Sequence, residues 1–147
     1  MYSKTKILKS NKKNIIFASD LLKKNKIVGI PTETVYGLAG RADNDSAVKK
    51  IFIIKKRPFL NPLILHYKNS ELALNDIFSD ERAEELAKKF WPGALTIVSK
   101  IKSNYISKFA TANLNTVAIR VPLNKTVKAL LMHLEFPLAA PSANRYG

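Results

Sequence analysis

Three short islands in this 147-residue chain set hydroxyl, amide and cationic side chains beside rigid prolines. The first is Pro31-Thr32-Glu33-Thr34-Val35-Tyr36-Gly37, and the second is Lys55-Lys56-Arg57-Pro58-Phe59-Leu60-Asn61-Pro62. The third, Pro141-Ser142-Ala143-Asn144, follows the apolar run Leu138-Ala139-Ala140. Residues two apart in an extended segment project to one side, so Ser142 and Asn144 can address a single ligand. Thr34 stands in a polar loop directly after a buried run, a place where α/β proteins often bind ligands, whereas Tyr36 and Gly37 can simply form a turn.

The cationic run at 55–57 has two readings. Lysine and arginine at a helix end complement the helix dipole. Alternatively, Arg57 supplies a planar fork and Lys55 a point charge to a triphosphate, with the following prolines holding Asn61 nearby. His66 and Arg120 each interrupt an apolar strand-like run. A buried guanidinium needs an anion, so Arg120 either pairs with a protein acid or awaits a ligand carboxylate or phosphate. A lone buried histidine is more often a satisfied core residue, and His133, among Leu131, Met132 and Leu134, reads as structural.

Several familiar chemistries are excluded. The glycines at 29, 37, 40, 93 and 147 cannot write a Walker A loop or a G-x-G-x-x-G fingerprint. The absence of cysteine removes thiolate metal sites and a cysteine nucleophile, and it fits a reducing cytoplasm. Two histidines and scattered acids offer no metal cage, so no protein-held metal is expected.

These groups must be positioned by interleaved helices and strands. A helix is expected from a Ser10 cap to about Asn25, and Ile27–Ile30 reads as a buried strand running into the polar loop at Pro31. Asp43 is the expected cap of a helix ending near Lys56 before Pro58. Leu63–Tyr67 reads as a strand, followed by a short helix after Asn69 and a second one capped by Asp80. Trp91-Pro92-Gly93 breaks that helix. Ala94–Ile101 and Val117–Val121 are expected strands, Leu123–Glu135 a helix, and Leu138–Ala140 a last strand. Interleaving without a repeat or linker points to one α/β or α+β layer fold.

The composition, 46% hydrophobic and 24% charged, suits a chain with a real core. No apolar stretch is long enough to span a bilayer, and the N-terminus lacks a signal-peptide core, so a soluble cytoplasmic protein without membrane partners is expected. The net charge of +14 attracts polyanions. Its eight lysines within residues 1–26, against Asp20 alone, can equally be a solvated face.

In order, the islands resemble the YrdC-like family of threonylcarbamoyl-AMP synthases. The matching pieces are Pro-Thr-Glu-Thr-Val-Tyr-Gly-Leu at 31–38, Lys-x-Arg-Pro-x-x-x-Pro-Leu at 55–63 and Trp-Pro-Gly-Ala-Leu-Thr at 91–96. Val-Ala-Ile-Arg-Val-Pro at 117–122 and Ala-Pro-Ser-Ala-Asn at 140–144 complete them. The resemblance implies a twisted open mixed α/β (α+β) sheet with flanking helices, forming a single domain over 1–147. It also implies that L-threonine, bicarbonate and ATP are converted to threonylcarbamoyl-AMP, pyrophosphate and water. That product feeds the threonylcarbamoyladenosine modification of tRNA through downstream transferase machinery, with Mg²⁺ accompanying the nucleotide.

Carried over by motif, Thr34, His66, Arg120 and Ala140 would line the threonine site. Arg57, Asn61, Thr116 and Ser142 would contact ATP, with Lys55 and Asn144 at the phosphate end and Lys55 and Arg57 as the catalytic pair. Family members continue past the segment matching Gly147, so the domain is expected to lack its last part, as a truncated product, a split gene or a remnant. The alternatives to a synthase are a non-catalytic module binding tRNA or double-stranded RNA, an inactive remnant, and a fragment that cannot fold alone.

Overall fold

The computed structural model describes residues 4–146. The elements run α1 (Lys12–Lys23), β1 (Val28–Ile30), β2 (Gly37–Arg41), α2 (Asp45–Lys55), β3 (Ile64–His66) and α3 (Ser70–Asn75). There follow α4 (Glu81–Phe90), β4 (Ile97–Lys100), β5 (Thr116–Arg120), α5 (Lys125–Met132) and β6 (Leu138–Ala139). Six strands form one sheet in the order β1-β2-β6-β3-β5-β4. Only β3 and β5 pair in parallel, so the sheet is mixed, as the resemblance implies.

Asparagines cap four of the five helices. Asn11 and Asn44, not Ser10 and Asp43, accept from the backbone N–H three residues on. The Ser10 hydroxyl instead meets Thr126 Oγ1 at 2.7 Å. Asp43 is drawn away by Arg41, whose Nε and Nη2 reach its two oxygens at 2.6 and 2.9 Å. Asn69 and Asp80 cap α3 and α4 as expected. The last helix is shorter than Leu123–Glu135 because Asn124 caps it and the chain leaves helical geometry at His133. The strand expected over Ala94–Ile101 is confined to Ile97–Lys100.

One strand, β2, lies in what the sequence presents as a polar loop. Gly37-Leu-Ala-Gly-Arg41 has no β-branched residue, so its strand character comes from packing rather than propensity. Gly40 lets helix and strand close together: a Cβ there would stand 2.9 Å from Ile27 Cδ1 and 3.2 Å from Ile51 Cδ1.

Strand alternation sorts the core into two faces. Leu65, Val117, Ile119, Ile97 and Ala139 project to one face, where Val48, Ile51 and Phe52 of α2, Ala73 of α3 and Ala87 of α4 cover them. Ile30, Ala39 and Leu138 project to the other, against Leu22 of α1 and Val127, Leu130 and Leu131 of α5. Full burial of such a leucine stabilises the fold by about 1.5–3 kcal/mol. That second core covers only the β1-β2-β6 half of its face, for no residue of β3, β4 or β5 belongs to it. The remaining half is open. Ile64, Thr116, Ala118 and Arg120 are half-buried there, and Val98 is 65% exposed.

Candidate functional site

The open half of the sheet gathers four of the sequence-derived site residues, His66, Arg120, Thr116 and Ala140. Parallel pairing sets His66 directly opposite Arg120 and Ile64 opposite Ala118, so His66 and Arg120 are neighbours on one face, at a strand spacing of about 4.8 Å. Thr116, at the start of β5, shares that face by its even offset from Arg120. Ala140 enters from beside β6, its N–H donating to the Ile64 carbonyl at 3.1 Å.

Arg120 has no acidic partner. Its Nε donates to Thr96 Oγ1 at 3.0 Å, and the ion pair present among the described residues is Arg41 with Asp43. Of the two readings of Arg120, pairing with a protein acid is not found among the described residues. His66 is 2% exposed, and neither ring nitrogen makes a well-formed hydrogen bond, although the backbone at Ile64 and Leu138 acts on the ring. This is not the satisfied core histidine that a lone histidine usually proves to be. Burial first, and the Arg120 charge second, push its pKa down to about 4, so the ring is neutral at physiological pH.

Thr34 lies in the loop between β1 and β2, whose Glu33 reaches the turn that follows β5. Thr32 shapes the loop: its Oγ1 accepts from the N–H of Val35 at 3.1 Å and of Thr34 at 3.3 Å, and its hydroxyl donates to the Val35 carbonyl. Thr34 is exposed, its hydroxyl 3.4 Å from Thr32 Oγ1. Glu33, to which the sequence assigned no role, reaches the turn that follows β5. Its Oε1 accepts from the N–H groups of Leu123 and Asn124, the latter at 2.9 Å. Its Oε2 is buried without a partner. Burial alone would raise this carboxyl, but the backbone donors and the charge of Arg120 outweigh it and hold the pKa below the usual value. The only sequence signal for Glu33 was its place inside the Pro-Thr-Glu-Thr island; its partners lie about 90 residues away.

The second island closes one end of the site. Lys56 adopts left-handed geometry (φ 52°), which ends α2 and turns the chain so that Lys55 and Arg57 flank the turn. Lys55 is only 3% exposed, and its Nζ donates to the carbonyl of Ser142 at 2.5 Å and to that of Asn144. Burial, then the nearby Arg57 charge, lower its pKa. The third island is thus tied to the second through backbone carbonyls. Ser142 makes one bridge with Gly37, after which the chain bends, so the extended run expected through Asn144 is absent. The Asn144 amide turns to the Arg145 carbonyl at 3.2 Å.

Arg57 donates to the carbonyls of Asn61 at 3.2 Å and Pro62 at 3.0 Å, and its guanidinium lies 5.4 Å from the Tyr146 ring centroid. Asn61 Nδ2 donates to the Tyr146 hydroxyl at 2.6 Å. Lys55, Arg57 and Asn61 are therefore gathered at one place, each in contact with residues 142–146. Among the described residues no three His, Asp or Glu side chains are grouped to hold a metal ion, and no helix is long and apolar enough to cross a membrane.

Chemically, the floor offers a guanidinium without an acidic partner and a neutral ring, and the β1–β2 loop carries a hydroxyl at Thr34 and a carboxylate at Glu33. The adjoining end offers an ammonium, a second guanidinium and an amide. A small zwitterion beside a polyanion fits such a set.

Comparison with known proteins shows the family. The family model for Sua5, YciO and YrdC, described as telomere recombination, matches residues 20–147. The threonylcarbamoyl-AMP synthase of Bacillus subtilis (strain 168) is 46% identical over 142 residues, covering 95% of this chain and 41% of that protein. The synthase of Pyrococcus abyssi (strain GE5 / Orsay) is 44% identical over 136 residues, covering 90% and 39%. The chain thus spans about two fifths of the length of these curated relatives. The crystal structure of P. abyssi Sua5 complexed with L-threonine superposes with a TM-score of 0.84 at 41% identity, over 95% of this chain and 40% of that one. Escherichia coli YciO shares the fold, with a TM-score of 0.80 at 23% identity over 89% of this chain and 64% of that one.

Proposed function

Because the chain belongs to the Sua5/YciO/YrdC family, we propose that it carries the threonine and nucleotide sites of a threonylcarbamoyl-AMP synthase. The observation that supports this best is the open sheet face, where Arg120 lacks a protein acid and stands opposite a buried His66 with neither nitrogen in a well-formed hydrogen bond. The relative of known structure with L-threonine bound matches nearly all of this chain.

In this reading Arg120 takes the threonine carboxylate through its two terminal nitrogens. Thr34 and the neutral His66 address the remaining polar groups, and Ala140 keeps the wall small beside them. The amine of threonine and bicarbonate form a carbamate with loss of water. A carbamate oxygen then attacks the α-phosphorus of ATP, the new P–O bond replaces the bond to the β-phosphate bridge, and pyrophosphate leaves. Lys55 and Arg57 offset charge at the phosphates, with Asn61, Thr116, Ser142 and Asn144 around the nucleotide. Lys55 keeps one N–H beyond the two given to carbonyls. Mg²⁺ belongs to the nucleotide in this reading, since the residues grouped here do not form a cage for it.

The product would pass in the cytoplasm to transferase machinery acting on tRNA. All eight lysines of residues 1–26 are exposed, which supports contact with tRNA or double-stranded RNA. The test is pyrophosphate release by the purified chain with ATP, bicarbonate and Mg²⁺. Release should require threonine and be lost in Lys55→Ala and Arg57→Ala with the melt intact; release independent of threonine, or unchanged in both variants, contradicts the reading.

A further inference from the structure

Glu33 is a carboxylate that feels the charge of Arg120, and it is only half used. Oε1 accepts two backbone N–H groups at the turn after β5, three and four residues beyond Arg120. Those bonds tie the β1–β2 loop to the strand that carries Arg120 and hold the carboxylate ionised. Oε2, from the same ionised group, is buried with no donor. An orphaned carboxylate oxygen forfeits the hydrogen bonds it had in water, which makes an empty acceptor position costly to keep.

No group among the described residues donates to it. Glu33 and Arg120 feel each other's charge yet form no ion pair, and His66, neutral and without a well-formed hydrogen bond, feels both. An anion, a neutral ring and a cation, none satisfied by another, form the complement of a molecule bearing a cationic and an anionic group a few bonds apart. If Arg120 takes a carboxylate, the matching cationic group of an α-amino acid is its ammonium.

We propose that Glu33 is a specificity-determining residue of the amino-acid site, its Oε2 receiving an N–H of the substrate's α-amino group while Oε1 stays on the Leu123 and Asn124 amides. This rests on the amino-acid reading of the floor and adds to it a basis for choosing amino acids over hydroxy acids. A hydroxyl in place of the ammonium brings one weaker donor and no charge to the carboxylate. Specificity of this kind follows from leaving a buried charge unpaired in the wrong complex.

The experiment is calorimetric titration of the purified chain with L-threonine and with 2,3-dihydroxybutanoate of matching configuration, which has a hydroxyl where threonine has its amine. Glu33→Gln is the informative variant, because its amide oxygen can still accept from Leu123 and Asn124 while its NH₂ replaces Oε2 with a donor. The wild type should prefer threonine. Glu33→Gln should bind threonine roughly ten- to a hundredfold more weakly, by the worth of a hydrogen bond to a charged group, and should lose the preference. Threonine binding and preference both unchanged in Glu33→Gln overturn the role of Glu33 while leaving the amino-acid reading intact. No threonine binding by the wild type overturns both. Should Glu33→Gln fail to melt cooperatively, the wild type decides: equal affinity for the two ligands overturns the proposal, and a preference for threonine supports it.

Discussion

Two consecutive residues, His66 and Tyr67, face opposite sides of the sheet and meet opposite fates. The Tyr67 hydroxyl donates to Asp76 Oδ2 at 2.6 Å, and the Tyr105 hydroxyl donates to the same oxygen. The Asp76 carbonyl meanwhile accepts from the N–H groups of Lys102 at 2.8 Å and Ser103 at 3.3 Å. Burial, reinforced by the Asp76 carboxylate, keeps both phenols firmly protonated. One residue earlier, His66 is as deeply buried and makes no well-formed hydrogen bond, and Glu33 Oε2 shares that condition. A folded protein has no stability reason to keep such orphans. The difference separates two kinds of polar cluster: the Asp76 cluster locks the α3 end to the loop after β4, whereas the His66 cluster leaves polar atoms unpartnered, as the proposed amino-acid site requires.

That contrast can be attacked from both sides. The largest expected effect on stability is at Asp76. Asp76→Ala strips two phenols of their acceptor and should lower the unfolding free energy by about 3 kcal/mol in urea titrations, with threonine affinity unchanged in the folded fraction. A loss of threonine affinity without loss of stability would erase the distinction.

His66 should behave in the opposite sense. The unfolded ring takes up a proton near 6.5 and the folded ring only at about 4, so the folded state binds fewer protons between those values. The stability this implies is complete above pH 6.5 and is lost as the pH falls towards 4. Against His66→Leu, the wild type should lose as much as about 3 kcal/mol across that window. At pH 7 the leucine variant should be equal or more stable by about 1 kcal/mol, having shed two unsatisfied nitrogens, while losing threonine binding. Chemical denaturation of both proteins from pH 7 to 4 checks this; identical pH slopes would contradict it.

The smallest effect belongs to neither cluster and serves as a control on backbone geometry. Lys56 is exposed and left-handed, so Lys56→Gly should stabilise by about 1 kcal/mol or less without touching threonine affinity.

Legibility in the sequence follows the same divide between local and distant causes. The strands around Ile30, Leu65, Val117 and Leu138 announce themselves as apolar runs, and Asn69 and Asp80 as caps, because their causes lie within a few residues. His66 and Arg120 stand out as polar interruptions of apolar strands. Strand β2 does not, since the closeness of Ile51 to Gly40 makes it, not the propensity of Gly37–Arg41. Glu33 and the seating of Lys55 on the carbonyls of Ser142 and Asn144 are likewise silent, each depending on contacts nearly 90 residues distant. The asparagine caps at 11 and 44 displace their neighbours because Ser10 and Asp43 are claimed by Thr126 and Arg41.

The central claim is that the unsatisfied polar set on the open sheet face is an amino-acid site organised around Arg120. Calorimetric titration of L-threonine into the wild type and Arg120→Ala tests it most directly. Arg120 has one side-chain partner, Thr96, so the variant should keep its melting behaviour. The wild type should bind saturably, and Arg120→Ala should bind about thirtyfold or more weakly, the loss expected when one member of a hydrogen-bonded charge pair is removed. Equal affinity in the two proteins, or no binding by the wild type, would contradict the account.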